Sequence, residues 1–444
     1  MKLFTELKIK FDQSDWSINP EFGLIDTILE QHPELLHILK SDITRGTKES
    51  NFGRKDTPSV EQIVRASLYK ELKGLDYREL EYHQRDSRIC SVFIKIDELR
   101  PYSFQMYQKY ISKIRADNLK KFIVDLNKIA INEGLEDIKK IRQDSTVVKS
   151  NIHYPTNNSL VWDCIKESHR LLESLSQEIE GFHYRDYTKS AKRTYYKINI
   201  IKSKDKRVEL FKKQLILFTK TINQVSNAVK KKSNCSLTGM LLQMSMEEFI
   251  PTMQKVYSIT ERKEIRGESV PNKEKIFSIY EIHTDIIVKG GREVLFGHKV
   301  NLATGTSNLI LDCDILQGNP SDSNLYQPTI ERVTGNYGII PRDSATDGGY
   351  ASKDNAEYSK SKGIKNIVFN KIVGSLKNIV SSKHIETILK KWRSGIEAVI
   401  SNLKRGFDIF TCNWKGWGHF QAKVLWSVIG YNIRVMTSLV LQKL

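Results

Sequence analysis

The amino-acid sequence predicts a mixed α/β domain, preceded by an all-helical domain and interrupted by a helical, basic insertion. Three observations carry the prediction. Between 276 and 370, short β-branched apolar runs alternate with amphipathic helical stretches, as they do where strands and helices share one sheet-centred domain. From Thr57 to about 133 the apolar spacing is helical, in short pieces divided by turn signals. Residues 163–260 are helical again, although strand-like sequence flanks them on both sides. The boundaries read as 1–133 for the helical domain, 134–162 with 276–444 for the α/β domain, and 163–275 for the insertion.

Taken in order, residues 1–55 combine a polar opening with one amphipathic helix at about 22–40, and TRGTKESNFGRKD then reads as a loop. Thr57-Pro58 reads as a cap followed by proline at the first helical position. Ile63, Val64 and Leu68 give that helix an apolar face, and Gly74 ends it. Asp76 starts another helix, with Glu79 at the capping-box spacing. Short helices with tight turns suit a helix-turn-helix-like DNA-binding domain, and they equally suit an ordinary small bundle. DIKKIRQDSTVVKSNIHY is β-branched and alternating, and reads as two short strands meeting around Asp144. Three helical segments follow over 163–260, and Lys230, Lys231 and Lys232 form a basic cluster in them. IFSIYEI, TDIIVKG, EVLFGHKVNLAT, NLILDCDIL and IKNIVFN read as strands, with a helix before SATDGGYAS. A long helix over 383–404 and an apolar helix from His419 close the chain.

Composition narrows the function. Of 444 residues, 39% are hydrophobic and 27% charged, enough apolar material for ordinary cores. Basic residues exceed acidic ones by 70 − 52 = 18. That excess argues for a polyanionic partner, most simply nucleic acid, with a membrane surface as the other candidate. No apolar run reads as approaching the ~18–20 residues of a spanning helix, so an integral membrane protein is not expected. The opening MKLFTELKIKFDQSDW has neither the apolar stretch nor the cleavage site of a secretory signal. Cys90, Cys164, Cys235, Cys313 and Cys412 are widely spaced without a CxxC, and no histidine pair has metal-binding spacing. A disulfide framework or zinc site is therefore not expected, and any metal should be a hard cation on carboxylates, in a reducing cytosol.

Three carboxylates stand out by context. Asp144 precedes Ser-Thr at the end of a strand, Asp347 precedes Gly-Gly, and Glu397 lies in KWRSGIEAVISNLKRGF. Each also has a plain reading: a turn or cap, a tight turn, and a surface ion pair with Arg393. On a continuous helix Arg393, Glu397 and Lys404 fall within about 60° of one another, with Lys390 on the same stripe. One carboxylate flanked by three cations suits a metal-binding acid beside a phosphate backbone, and it also suits a solvated face.

In this order the triple Asp144, Asp347, Glu397 resembles the DDE triad of bacterial insertion-sequence transposases. DSTVVKSNIHYPTNNSLVWD resembles the segment of the first aspartate, and GNPSDSNLYQPTIERV with ATDGGYAS that of the second. FGHKVNLATG resembles the preceding strand. RSGIEAVISNLKRGF resembles the R-x3-E-x6-K part of the signature helix Y-x2-R-x3-E-x6-K, in which Lys390 stands where tyrosine is usual. The subgroup resembled is the ISNCY type. The resemblance touches most of 57–440.

It implies an RNase H-like catalytic domain, a mixed sheet flanked by helices, with Asp144 on the first, central strand. It also implies two Mg²⁺ ions, replaceable by Mn²⁺, on the three carboxylates, hydrolysis at the element ends, and joining of the 3′-hydroxyl to target DNA. The implied partners are terminal inverted repeats and target DNA, bound by a homodimer or larger assembly in the bacterial cytoplasm, at the nucleoid. Lys390, Arg393 and Lys404 would contact DNA. So would residues 185–207, with nine basic and two acidic side chains: Lys189, Lys192, Arg193 and Lys197 interleave there with Tyr187, Tyr195 and Tyr196. A structure-selective nuclease or resolvase, and a catalytically silent repressor, are the competing classes.

Overall fold

The computed structural model describes residues 16, 18–46, 57–97, 99–231, 236–289, 293–372 and 376–443. The polar opening at 1–15, most of the loop expected over 44–56, Lys232 and Cys235 lie outside the described residues. The chain divides into two compact units, residues 1–151 with 287–444, and residues 152–286.

The first unit begins with helices. The stretch read as one helix at 22–40 forms α1 (Pro20–Gln31) and α2 (Glu34–Ile43), divided at His32-Pro33 because proline has no N–H to continue the ladder. α3 (Val60–Lys73) starts after Ser59, whose side chain forms a capping box with Gln62, rather than at the expected Thr57-Pro58. Gly74 ends it in the left-handed region at φ 67. Asp76 and Glu79 form the expected capping box of α4 (Tyr77–Asp86). α5 (Arg88–Ile94), α6 (Phe104–Ile111) and α7 (Ala116–Asn132) follow.

The second unit is helical. α8 (Asn157–Glu178), α9 (Thr188–Ile200), α10 (Lys204–Lys230) and α11 (Leu237–Thr260) pack around Leu172, Leu175, Phe218, Val225, Met253 and Val256. The basic, tyrosine-rich stretch thus contains a helix of its own, α9. IFSIYEI forms no strand. Ser278 Oγ accepts the N–H groups of Tyr280 and Glu281 there, and that local turn competes with extended pairing.

The sheet belongs to the first unit, save the first two residues of its edge strand Asp285–Lys289. Residues 135–155 make one strand, not two: β1 (Lys140–Ser150) runs through Asp144 without a turn. Pairing on both edges enforces this. β1 is antiparallel to β3 (Glu293–Thr304) from Arg142↔Thr304 to Lys149↔Gly297, and parallel to β5 (Asp343–Asp347). With β2 (Asp285–Lys289), β4 (Ile310–Ile315), β6 (Asn366–Asn370) and β7 (Thr411–Cys412), the order is β2-β3-β1-β5-β6, with β4 also on β3 and β7 on β1.

Helices cover both faces of this mixed sheet. On one, α12 (Ser323–Tyr337) and α13 (Lys353–Ser361) pack with Ile141, Ala303 and Phe369 through Tyr326, Ile330 and Ala356. On the other lie α14 (Lys383–Arg393), α15 (Gly395–Gly406) and α16 (Trp417–Leu441). Leu389 of α14 meets Ala345 and Val368. α16 shares one core with Val148 and Leu302 of the sheet and with Leu68, Phe122 and Leu126 of the N-terminal helices. At a mean hydropathy of 1.5, α16 is long and apolar enough to cross a membrane, contrary to the expectation that no run approaches that length. Seventy-two per cent of its apolar window is buried inside the fold, which accounts for its composition without a bilayer.

Candidate active site

The site is built where β5 ends beside β1. Gln143 pairs with Thr346, so Asp144 comes alongside Asp347 one step further on. In open α/β sheets the carboxyl ends of parallel strands are where functional groups collect. The two glycines after Asp347 serve close approach, not a left-handed turn, since neither has a positive φ. A Cβ on Gly348 would sit 2.6 and 2.7 Å from the carbonyl oxygens of Lys371 and Asn370, and one on Gly349 3.0 Å from Asp322 Oδ2.

The helix expected over 383–404 is broken. α14 ends at Arg393 and α15 begins at Gly395. The Trp392 carbonyl accepts Nη1 of Arg142, and the Lys391 carbonyl accepts Ser394 Oγ at 2.7 Å. Side chains inserted into the helical ladder in this way cause kinks. Glu397 therefore stands in the first turn of α15 rather than in mid-helix, and the stripe drawn from Lys390 to Lys404 is not continuous.

The three acids nevertheless meet, on one guanidinium. Arg393 Nη2 donates to Asp144 Oδ2 at 2.7 Å and lies 4.0 Å from Asp347 Oδ1, while Nη1 donates to Glu397 Oε1 at 2.9 Å. Arg393 is 7% exposed, so it is a buried clasp among the carboxylates and not a free cation on the surface. Burial lifts the Asp144 carboxyl above its ordinary range, Arg393 and the Ser145 N–H oppose that, and Asp347 and Asp322 add to it.

Neither Asp322, although it lies in GNPSDSNLYQPTIERV, nor Arg142 is singled out in the sequence. Asp322 accepts from Ser145 Oγ at 3.0 Å and pairs with Lys299 at 3.1 Å. Arg142 is buried two residues before Asp144, and burial pushes its guanidinium down to about 10, which leaves it charged at neutral pH.

The remaining cations are placed differently. Lys390 pairs with Glu386 at 2.6 Å, and the Lys404 ammonium lies 5.5 Å from the centre of the Phe410 ring. Lys189, Lys192, Arg193 and Lys197 are all exposed on or near the solvent side of α9, with Tyr196 also exposed. The Tyr195 ring stacks on Trp162 at 6.2 Å and is half-buried.

Among the described residues no group of three or more His, Cys, Asp or Glu side chains is arranged to hold a metal. The donor chemistry still fits a hard cation: Asp144, Asp347 and Glu397 offer only carboxylate oxygen, and all three converge on a single positive charge.

Comparison with curated proteins and with solved structures returned no match. Residues 283–433, which include Asp347 and Glu397 and leave Asp144 outside, match the family model described as a transposase DDE domain. The matched segment lies on a mixed sheet flanked by helices that fits an RNase H-like fold, so this part of the chain is similar to the DDE domain of transposases.

Proposed function

We propose that the chain binds the terminal inverted repeats of an insertion sequence, hydrolyses the phosphodiester at each element end, and joins the freed 3′-hydroxyl to target DNA. The observation that carries this reading is the convergence of Asp144, Asp347 and Glu397, from three separate elements, on Arg393. The three carboxylates would hold two Mg²⁺ ions, which would neutralise phosphoryl charge and activate the attacking oxygen.

The chain's own residues supply position and charge. The central strand fixes Asp144, and the end of β5 fixes Asp347 beside it. Arg393, which lies among the three carboxylates, would be available to hold a phosphate oxygen at the scission point once its carboxylate partners were occupied by cations. Lys390 and Lys404 extend that contact, and the exposed cations of α9 grip the DNA backbone, with Tyr196 available to stack on unpaired bases. Holding two element ends together calls for a homodimer or larger assembly, working on nucleoid DNA in the cytoplasm.

The test is a supercoiled plasmid carrying the gene's own flanking DNA, incubated with Mg²⁺ and wild-type protein or Asp144→Asn, Asp347→Asn or Glu397→Gln. Breaks at the flanks from wild type alone, with DNA binding retained by all three variants, are expected. A variant that still cleaves removes its residue from the site. Breaks scattered by DNA shape would favour a nuclease or resolvase. Binding without breaks from any protein would favour a silent repressor.

A further inference from the structure

We infer that Arg142 is a positioning residue of the catalytic centre, the clamp that seats the end of α14, which bears Arg393, and with it the start of α15, which bears Glu397, on the strand bearing Asp144. The inference rests on the reading of Asp144, Asp347 and Glu397 as catalytic carboxylates.

Side chains two apart on a strand share a face, so Arg142 and Asp144 point the same way from β1. They engage consecutive residues of the facing helix: Arg142 donates to the Trp392 carbonyl, and Asp144 accepts from Arg393. A cation passes from strand to helix and another from helix to strand, and the two contacts together fix the helix in register.

Arg142 is committed to this task. It is 1% exposed, and each of its three nitrogens has a partner. Nε donates to Thr304 Oγ1 at 2.9 Å, Nη1 to Trp392 and Nη2 to Asn308 Oδ1. Its Cζ lies 4.7 Å from the centre of the Trp392 ring. A planar fork can meet three acceptors and an aromatic face at once, whereas a lysine ammonium cannot.

Gly395 completes the fit. A Cβ there would collide with Nη1 of Arg142 and sit 3.1 Å from its Cζ. The glycine after the helix break is thus the space the clamp occupies. Glu397 depends on this arrangement because its side chain is 64% exposed, and among the described residues its ion-pair partner is Arg393. Its carboxylate is aimed by the start of α15, which the clamp holds.

The experiment compares full-length wild type, Arg142→Lys, Glu397→Gln, the double variant and Gly395→Ala, each checked for folding by circular dichroism. The readouts are single-turnover end cleavage at saturating DNA, DNA affinity, and Mn²⁺ affinity by electron paramagnetic resonance. Arg142→Lys should cleave about 10²-fold more slowly, the cost of roughly 1 Å of misplacement. It should keep its DNA affinity and lose Mn²⁺ affinity in parallel with Glu397→Gln. The double variant should bind Mn²⁺ no more weakly than Glu397→Gln alone, because the two substitutions remove one function.

Gly395→Ala should show the same pattern, and it carries the test if Arg142→Lys fails to fold. Wild-type cleavage by whichever of the two folds, or a double variant whose Mn²⁺ affinity falls by the product of the single effects, overturns the clamp and leaves the triad standing. Wild-type cleavage by Glu397→Gln overturns the triad itself, and the clamp with it.

Discussion

Replacing Arg393 by glutamine would show what holds the three carboxylates together before DNA or metal arrives. The Arg393 side chain is 8% exposed, against 20% for Asp144, 44% for Asp347 and 64% for Glu397. Only the pair with Asp144 is sheltered enough to count fully, since ion pairs with well-exposed partners contribute tenths of a kcal/mol. Removing one partner of a buried pair costs about 3–5 kcal/mol. Asp144 offsets part of that by taking up a proton, which burial already favours. The net loss should be about 2–3 kcal/mol. At roughly 2 °C per kcal/mol for a unit of this size, melting should fall by about 4–6 °C in EDTA. The deficit should be largest at neutral pH. It should shrink as the pH falls through the raised Asp144 value, because the folded variant then binds the proton that the missing guanidinium replaced. The guanidinium and a divalent cation compete for the same carboxylates, so the variant should bind Mn²⁺ more tightly than wild type in the absence of DNA. Melting in EDTA and in Mn²⁺, with a Mn²⁺ titration, measures all of this. Unchanged melting in EDTA together with weaker Mn²⁺ binding would refute the argument that Arg393 occupies a cation's place.

Glu71 is fully buried, with Lys423 at 2.6 Å and Lys70 at 3.2 Å; Glu71→Gln would strand two cations and should cost about 3–5 kcal/mol in a urea melt. Burial pulls the Glu71 carboxyl upward but Lys423 and Lys70 hold it below its ordinary 4.5, so its contribution should be complete above that pH and lost below it as the folded group protonates. Replacing Lys192 and Arg193 by alanine should lower the salt slope of DNA binding by up to ~2, and an unchanged slope would mean that α9 faces only solvent. Gly348→Ala forces a methyl group against the carbonyl oxygens of Lys371 and Asn370; it should destabilise by about 1–3 kcal/mol in thermal melts and slow cleavage by displacing Asp347.

Periodicity and capping chemistry, which act over a few residues, were enough to place much of the fold. The Asp76–Glu79 box, the strand-like run of β3 and the position of the closing helix α16 all report on local structure, and each is where the pattern puts it, although the apolar run of α16 is longer than expected. The division of 135–155 into two strands failed for an instructive reason. Ser145 N–H does donate to Asp144 Oδ1 at 2.8 Å, the contact that suggests a turn, but it forms inside a strand whose two edges are both paired. Tertiary pairing outweighs a local bond of that kind.

The site shows the same division more sharply. The four-residue spacing of Arg393 and Glu397 was readable, and the two side chains are paired. The spacing could not show that the guanidinium turns inward, because its other partner, Asp144, is 249 residues away in sequence. Nor could any window on the helix show that it breaks at Ser394, since the group that takes the Trp392 carbonyl is Arg142, 250 residues earlier. A lone arginine in a strand and a lone glycine in a helix are each uninformative. Their meaning lies in their contact, where the absent Cβ of one is the space filled by the other. Two basic residues that look alike in sequence, Arg142 and Arg393, thus divide the work: one fixes the helix to the strand, and the other balances the charge that the fold gathers there.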